Sequence, residues 1–210
     1  LRVVCPFTGI YPQVDAALNT YAPTCERIKV ARCDLPADCG IINCNDQRRH
    51  CHHRECEDVY FEIVAGLWTA GESFMLIEHD VEIRAGVVEE LAACPEPWCL
   101  FPFPGPGFSA EGGNLLTISL GCTRFRSELL AAQPDLMGAV DGRCQVHRSG
   151  STRDWHRLDV TMVSVLRECG YPDPHVHTPP VIHHHMYPFE GCACGDPDCR
   201  PPAEWHVTRP

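Results

Sequence analysis

An α/β fold with a mostly parallel central sheet is what this sequence predicts, and three observations predict it. Short apolar runs at residues 2–5, 28–32, 74–77 and 98–101 alternate with stretches of helical period, the pattern of strands joined by crossover helices. The run Phe74-Met75-Leu76-Ile77 then leads straight into Glu78-His79-Asp80, so two carboxylates arrive at a strand end, where an open sheet binds its ligands. Finally, 210 residues of which 44% are hydrophobic suffice to bury one core in one domain.

Each element has its own justification. Arg2-Val3-Val4-Cys5 is a short apolar strand, closed by Pro6-Phe7-Thr8-Gly9. Tyr11 to Tyr21 predicts a helix with Pro12 in its first turn, where a missing N–H is harmless, and with Val14, Leu18 and Tyr21 on one face. Ile28 to Arg32 predicts a second strand ending near Asp34. Residues 33 to 56 break the pattern: Cys33, Cys39, Cys44, Cys51 and Cys56 alternate with His50, His52 and His53 at irregular spacing. That composition reads as a Cys/His-rich surface insertion or a zinc site lacking the C-x-x-C pair.

Regular structure resumes at Val59. Val59, Ile63 and Leu67 recur every four residues, as do Tyr60, Val64 and Trp68, and Gly71 stops this helix. After the strand to Ile77, Val87, Val88 and Leu91 mark another helix, and Trp98 to Phe101 another strand. Residues 102 to 113, rich in glycine and proline, read as a long loop of the kind that covers a site. Leu115 to Leu120 reads as a strand, and Gly121 to Phe125 leads into a short helix around Ser127 to Ala132.

After a polar stretch, Leu158, Met162, Val165, Leu166 and Cys169 form the buried stripe of a helix that opens near Trp155, with Asp154 as N-cap and Gly170 as stop. Asp159 therefore stands at the start of a rigid element, where a helix dipole would by itself favour an acid. The proline-rich tail that follows is extended, and alternation puts His175 and His177 on one side of it, and likewise His183 and His185.

Composition excludes some functions. Seventeen Lys and Arg against 28 Asp and Glu leave a net charge of −11, which argues against a grip on a nucleic-acid backbone. No apolar run reaches the ~20 residues of a membrane span, and no basic-then-apolar leader opens the chain. Fifteen cysteines are an odd count in a long chain, which favours a reducing cytoplasm with one or two metal sites over a disulfide framework. Cys5, Cys122 and Cys169 sit in apolar surroundings and read as small hydrophobes. Cys192, Cys194 and Cys199, with His206 beyond them, read either as three thiolates and an imidazole completing a tetrahedral structural zinc site or as free thiols on a flexible tail.

Glu78 and Asp80, one residue apart at a strand end, suit a divalent cation and the polyphosphate it neutralises. The order of motifs resembles nucleotide-sugar glycosyltransferases of the GT-A type, especially the small enzymes of actinobacteria and their phages. The residues that carry the resemblance are Pro6-Phe7-Thr8-Gly9, Leu67-Trp68, Ile77-Glu78-His79-Asp80, Leu120-Gly121-Cys122, the Trp155-Leu158-Asp159 helix start and the late Pro/His segment. It spans residues 2 to 188, omitting residues 33 to 56 and the Cys192 to Cys199 tail.

The resemblance implies a GT-A-like, Rossmann-like domain over residues 1–188, with residues 189–210 as a separate Cys-rich tail. It implies transfer of a sugar, of the hexosyl kind, from a UDP- or GDP-linked donor to a protein or glycan acceptor. Asp80 would bind manganese or magnesium, and Glu78, in place of the family's usual first Asp, would lie by the ribose or the metal's water shell. Pro6, Phe7 and Thr8 would lie against the base, with Asp34 also on the nucleotide side. Asp159 would be the acceptor-side general base of an inverting enzyme, and His183 or His177 a further metal ligand. Two readings compete: a zinc hydrolase using His175, His177 and His183 to His185 with Asp80, although H-E-x-x-H is absent, and a Cys/His-rich zinc module that binds a partner protein.

Overall fold

The structure, a computed structural model, describes residues 1–7, 10–30, 52–108, 114–117, 120–146 and 155–184. In chain order its elements are β1 (Arg2–Phe7), α1 (Pro12–Tyr21), β2 (Glu26–Lys29), α2 (His52–Ala70), β3 (Phe74–Ile77), β4 (Val81–Glu82), α3 (Val87–Ala93) and β5 (Trp98–Leu100). There follow β6 (Phe103–Phe108), β7 (Asn114–Thr117), β8 (Cys122–Phe125), α4 (Ser127–Ala132), α5 (Leu136–Val146), α6 (Trp155–Glu168), β9 (His175–Val176) and β10 (Ile182–His183).

Six strands form the central sheet in the order β2-β1-β3-β8-β5-β9. The β1–β2, β1–β3 and β5–β9 pairs are parallel, whereas β8 runs against both β3 and β5. Five strands therefore point one way and the sheet is mostly parallel, as expected. The reversal has a local cause. Among the described residues no helix separates β5 from β8, and the antiparallel β6–β7 pair lies between them in the chain; without a crossover a returning strand runs antiparallel.

Alternation along the strands splits the core in two. Val4, Phe74 and Leu76 pack with Tyr60, Val64 and Trp68 of α2 and with Leu158, Met162 and Leu166 of α6. Val3, Cys5, Met75 and Ile77 face the opposite way, onto Val14 and Leu18 of α1 and Val87 and Leu91 of α3. All four side chains of β3 are fully buried, each contributing roughly 1.5–3 kcal/mol of hydrophobic stabilisation. Gly71 closes α2 with φ +71°, its N–H donating to Trp68 O at 3.1 Å, a left-handed conformation that glycine adopts without strain.

Several expectations need correction. Tyr21 is 38% exposed, because it ends α1 beyond the last turn that meets the sheet, and Cys169 is exposed one residue past α6. Residues 52–56, assigned above to an irregular insertion, are the first turns of α2; their polar composition hides a helix that the apolar period reveals only from Val59. The segment expected to be a loop at residues 102–113 contains β6, which pairs with β7 across a register shift. Two-stranded and edge positions tolerate proline's missing donor. The polar stretch before Trp155 contains α5, whose weak apolar period and two internal glycines, Gly138 and Gly142, disguise it. Thr8, Asp34, Cys33 to Cys51, Asp154, His185 and the Cys192 to Cys199 tail lie outside the described residues.

Strand order also places a crevice. The chain adds β2 on one side of β1 and then β3 on the other, so the carboxyl ends of β1 and β3 flank the point where the order reverses. Ligands of open α/β sheets bind outside such a point. Phe7 ends β1 there, and Glu78 follows β3 there.

Candidate functional site

The Glu78-His79-Asp80 turn is pinned by three separate parts of the chain. The Glu78 N–H donates to Gly121 O at 2.8 Å, the Tyr11 N–H to His79 O at 3.4 Å, and the His184 N–H to Asp80 O at 2.6 Å. Within the turn, the Val81 N–H donates to Glu78 O at 3.0 Å. Backbone bonds thus fix the turn that carries both acids, and the turn is preorganised.

Glu78 is buried, and its Oε1 accepts a 2.8 Å hydrogen bond from the Tyr60 hydroxyl on α2. Burial, and after it the charge of Asp80, push the Glu78 carboxyl up to about 7, against the opposing pull of the Tyr60 hydroxyl and His183. Burial first, then Glu78 and Asp159, hold the Tyr60 hydroxyl well above its ordinary value, so it stays a donor. Asp159, buried at the start of α6, is therefore near enough for its charge to bear on the same hydroxyl as the strand-end acids. Sequence reading placed Tyr60 only on a buried helix face. The available signal was chemical: a tyrosine on such a face requires a partner for its hydroxyl.

Residues 182 and 183 pair beside the turn. β10 pairs antiparallel with β4, matching His183 to Val81 and Ile182 to Glu82. His183 Nε2 lies 3.2 Å from Asp80 Oδ2. Burial opposes a charge on His183, but Asp80 and Glu78 outweigh it and raise its titration above the ordinary value. His184 is fully buried, its Nε2 2.8 Å from Glu82 Oε2, and its ring stacks on Tyr11 at 5.4 Å.

Asp80 and His183 make an ion pair as they stand, and with the imidazole neutral the same two atoms could hold a cation. A carboxylate oxygen and an imidazole nitrogen 3.2 Å apart match adjacent positions around a metal whose bonds are about 2.1 Å. Among the described residues no third His, Cys, Asp or Glu brings a ligand atom within 4.8 Å of both. A cation at this turn would complete its shell from a bound ligand and water, the usual arrangement where a metal meets phosphates. The other predicted site residues are placed as follows. Pro6 and Phe7 end β1 beside the turn. His177 stands elsewhere, with Cys94 and Cys99, in the one set of three described residues whose ligand atoms all lie within 4.8 Å of one another. The tail histidines thus divide between Asp80, Glu82 and the cysteine pair.

Cys5 and Cys122 are buried, and burial pushes the Cys122 thiol up to about 12 and Cys5 higher still. Both act as small hydrophobes. Among the described residues, no helix is long and apolar enough to cross a membrane.

No family model matches the sequence, and no curated protein matches it. Solved structures similar to this chain include two at 12% identity. One is a glycosyltransferase involved in the glycosylation of the major capsid of PBCV-1, with 85% of this chain and 82% of that chain covered at a TM-score of 0.41. The other is A197 from STIV, with 88% and 86% covered at a TM-score of 0.40.

Proposed function

We propose that this chain is a glycosyltransferase that takes a sugar from a nucleotide-diphosphate donor with the help of a divalent cation. The observation that carries the reading is the pairing of Asp80 with His183, 3.2 Å apart, at the turn that follows β3, next to the buried Glu78 and beside the strand-order reversal. Leaving of a nucleoside diphosphate requires its charge to be neutralised, which a carboxylate-held cation, manganese or magnesium, supplies as a Lewis acid.

The chain's own residues take the remaining roles. Asp80 and His183 hold the cation, and Tyr60 keeps Glu78 turned inward beside them. Phe7, at the end of β1, supports the base of a UDP or GDP donor. Asp159 sits on α6, apart from the turn in sequence, and serves as the base that takes the acceptor hydroxyl's proton in an inverting displacement. A weakly basic carboxylate suffices where it is positioned and the transition state is oxocarbenium-like.

The test is thermal stabilisation followed by turnover. UDP or GDP with manganese should raise the melting temperature, and a chelator should abolish the gain. Hydrolysis of a panel of nucleotide sugars then identifies the donor. No stabilisation by any nucleoside diphosphate, together with no donor hydrolysed, would sink the reading.

A further inference from the structure

We propose that Cys94, Cys99 and His177 bind one zinc ion that staples the edge of the central sheet to the end of α3. This site is separate from the acids after β3 and stands whether or not the glycosyltransferase reading holds. Cys94 is the C-cap of α3, its N–H donating to Glu90 O at 3.1 Å. Cys99 is the middle residue of β5, and His177 directly follows β9, its N–H donating to Leu100 O at 2.9 Å.

Three observations converge. The ligand atoms of the three residues all lie within 4.8 Å of one another, with both cysteines buried. Tetrahedral zinc with sulfur at 2.3 Å and nitrogen near 2.0 Å spaces its ligands about 3.6–3.8 Å apart, so a contraction of roughly 1 Å at most closes the site. His177 Nε2 is buried with no hydrogen-bond partner, while the ring is held against Phe101 by stacking at 5.0 Å. Such a nitrogen is costly to bury unless something binds it.

Arg124 is the third. Its side chain is fully buried in the central strand β8, and its Nη2 donates to Cys94 O at 2.7 Å, Glu96 O at 3.0 Å and Cys99 Sγ at 3.3 Å. Among the described residues no carboxylate pairs with this guanidinium. A buried cation needs a counter-charge, and a Cys99 thiolate held by zinc supplies one at the sulfur the arginine already touches. Two thiolates and one imidazole select a borderline-soft, tetrahedral ion; a water or the nearby His175, whose ring lies 4.7 Å from that of His177, takes the fourth place.

The site has a structural consequence. β9 is an edge strand of two residues, both exposed. A metal bond at His177 fixes the chain just after it, from which the segment runs on through the Val181 N–H on Pro102 O at 3.1 Å to His183 at Asp80.

The test uses the full chain purified under reducing conditions. Loaded with cadmium-113, it should show a cadmium resonance correlated to the β-protons of both Cys94 and Cys99. Zinc analysis of C94S/C99S should show the loss of one equivalent per chain, whereas C192S/C194S/C199S should keep that equivalent. The cadmium correlation needs no substitution and decides the matter even if C94S/C99S does not fold. Cadmium coupled to other cysteines only, or a zinc content unchanged in folded C94S/C99S, overturns the proposal.

Discussion

His183 Nε2 stands 3.2 Å from Asp80 Oδ2, bringing the last described strand onto the turn that follows the central one. The pair is held from both sides, by the β4–β10 ladder and by the His184 N–H on Asp80 O. The backbone of both residues is therefore set by the fold, and their side chains meet on it as an ion pair.

Asp80→Asn should consequently fold normally and lose metal-dependent nucleotide binding. An amide is a poor substitute for an anionic ligand, and a loss of about 2 kcal/mol would weaken binding roughly thirtyfold. Calorimetric titration with UDP or GDP, with and without manganese, checks this. Undiminished manganese dependence in the variant would remove Asp80 from the cation site.

Asp159→Asn should leave nucleotide and metal affinity nearly unchanged while turnover falls by ~10²–10⁴. If Asp159 serves only the dipole of α6, the substitution costs about 1 kcal/mol or less in stability and leaves turnover alone. Rates under saturating donor separate the two outcomes. Full activity would end the inverting-base assignment.

Tyr60→Phe removes the 2.8 Å donor to Glu78 and adds no bulk. A buried carboxyl deprived of one partner costs about 1–3 kcal/mol, read as a lower urea midpoint with an unchanged slope. Stability equal to that of the unaltered chain would mean that water replaces the hydroxyl.

Gly170→Ala should destabilise the chain by about 1–2 kcal/mol. Gly170 has φ +83° and closes α6, where the Gly170 N–H meets Arg167 O and the Tyr171 N–H meets Leu166 O, both at 3.0 Å. No atom crowds an added Cβ, so the cost is conformational and not steric. An unchanged urea midpoint would show that the end of α6 relaxes freely.

Local pattern by itself placed strands at Arg2–Cys5, Phe74–Ile77 and Trp98–Phe101, which the structure gives as Arg2–Phe7, Phe74–Ile77 and Trp98–Leu100, and the helices carrying Val14, Tyr60, Leu91 and Leu158. Apolar spacing is a property of neighbours in the chain, and burying one face of each element is its direct consequence. It also placed Glu78 and Asp80 at a strand end. Tertiary structure alone decided that β8 runs backwards, that Arg124 lies buried at Cys99, that Tyr60 serves Glu78, and that His183 rather than His177 reaches Asp80. Each of these joins residues far apart in sequence, and such partners follow from strand order and connection, which no local period encodes. The helix Leu136–Val146 escaped for the opposite reason: it is local, but too weakly amphipathic to declare itself before its neighbours pack against it.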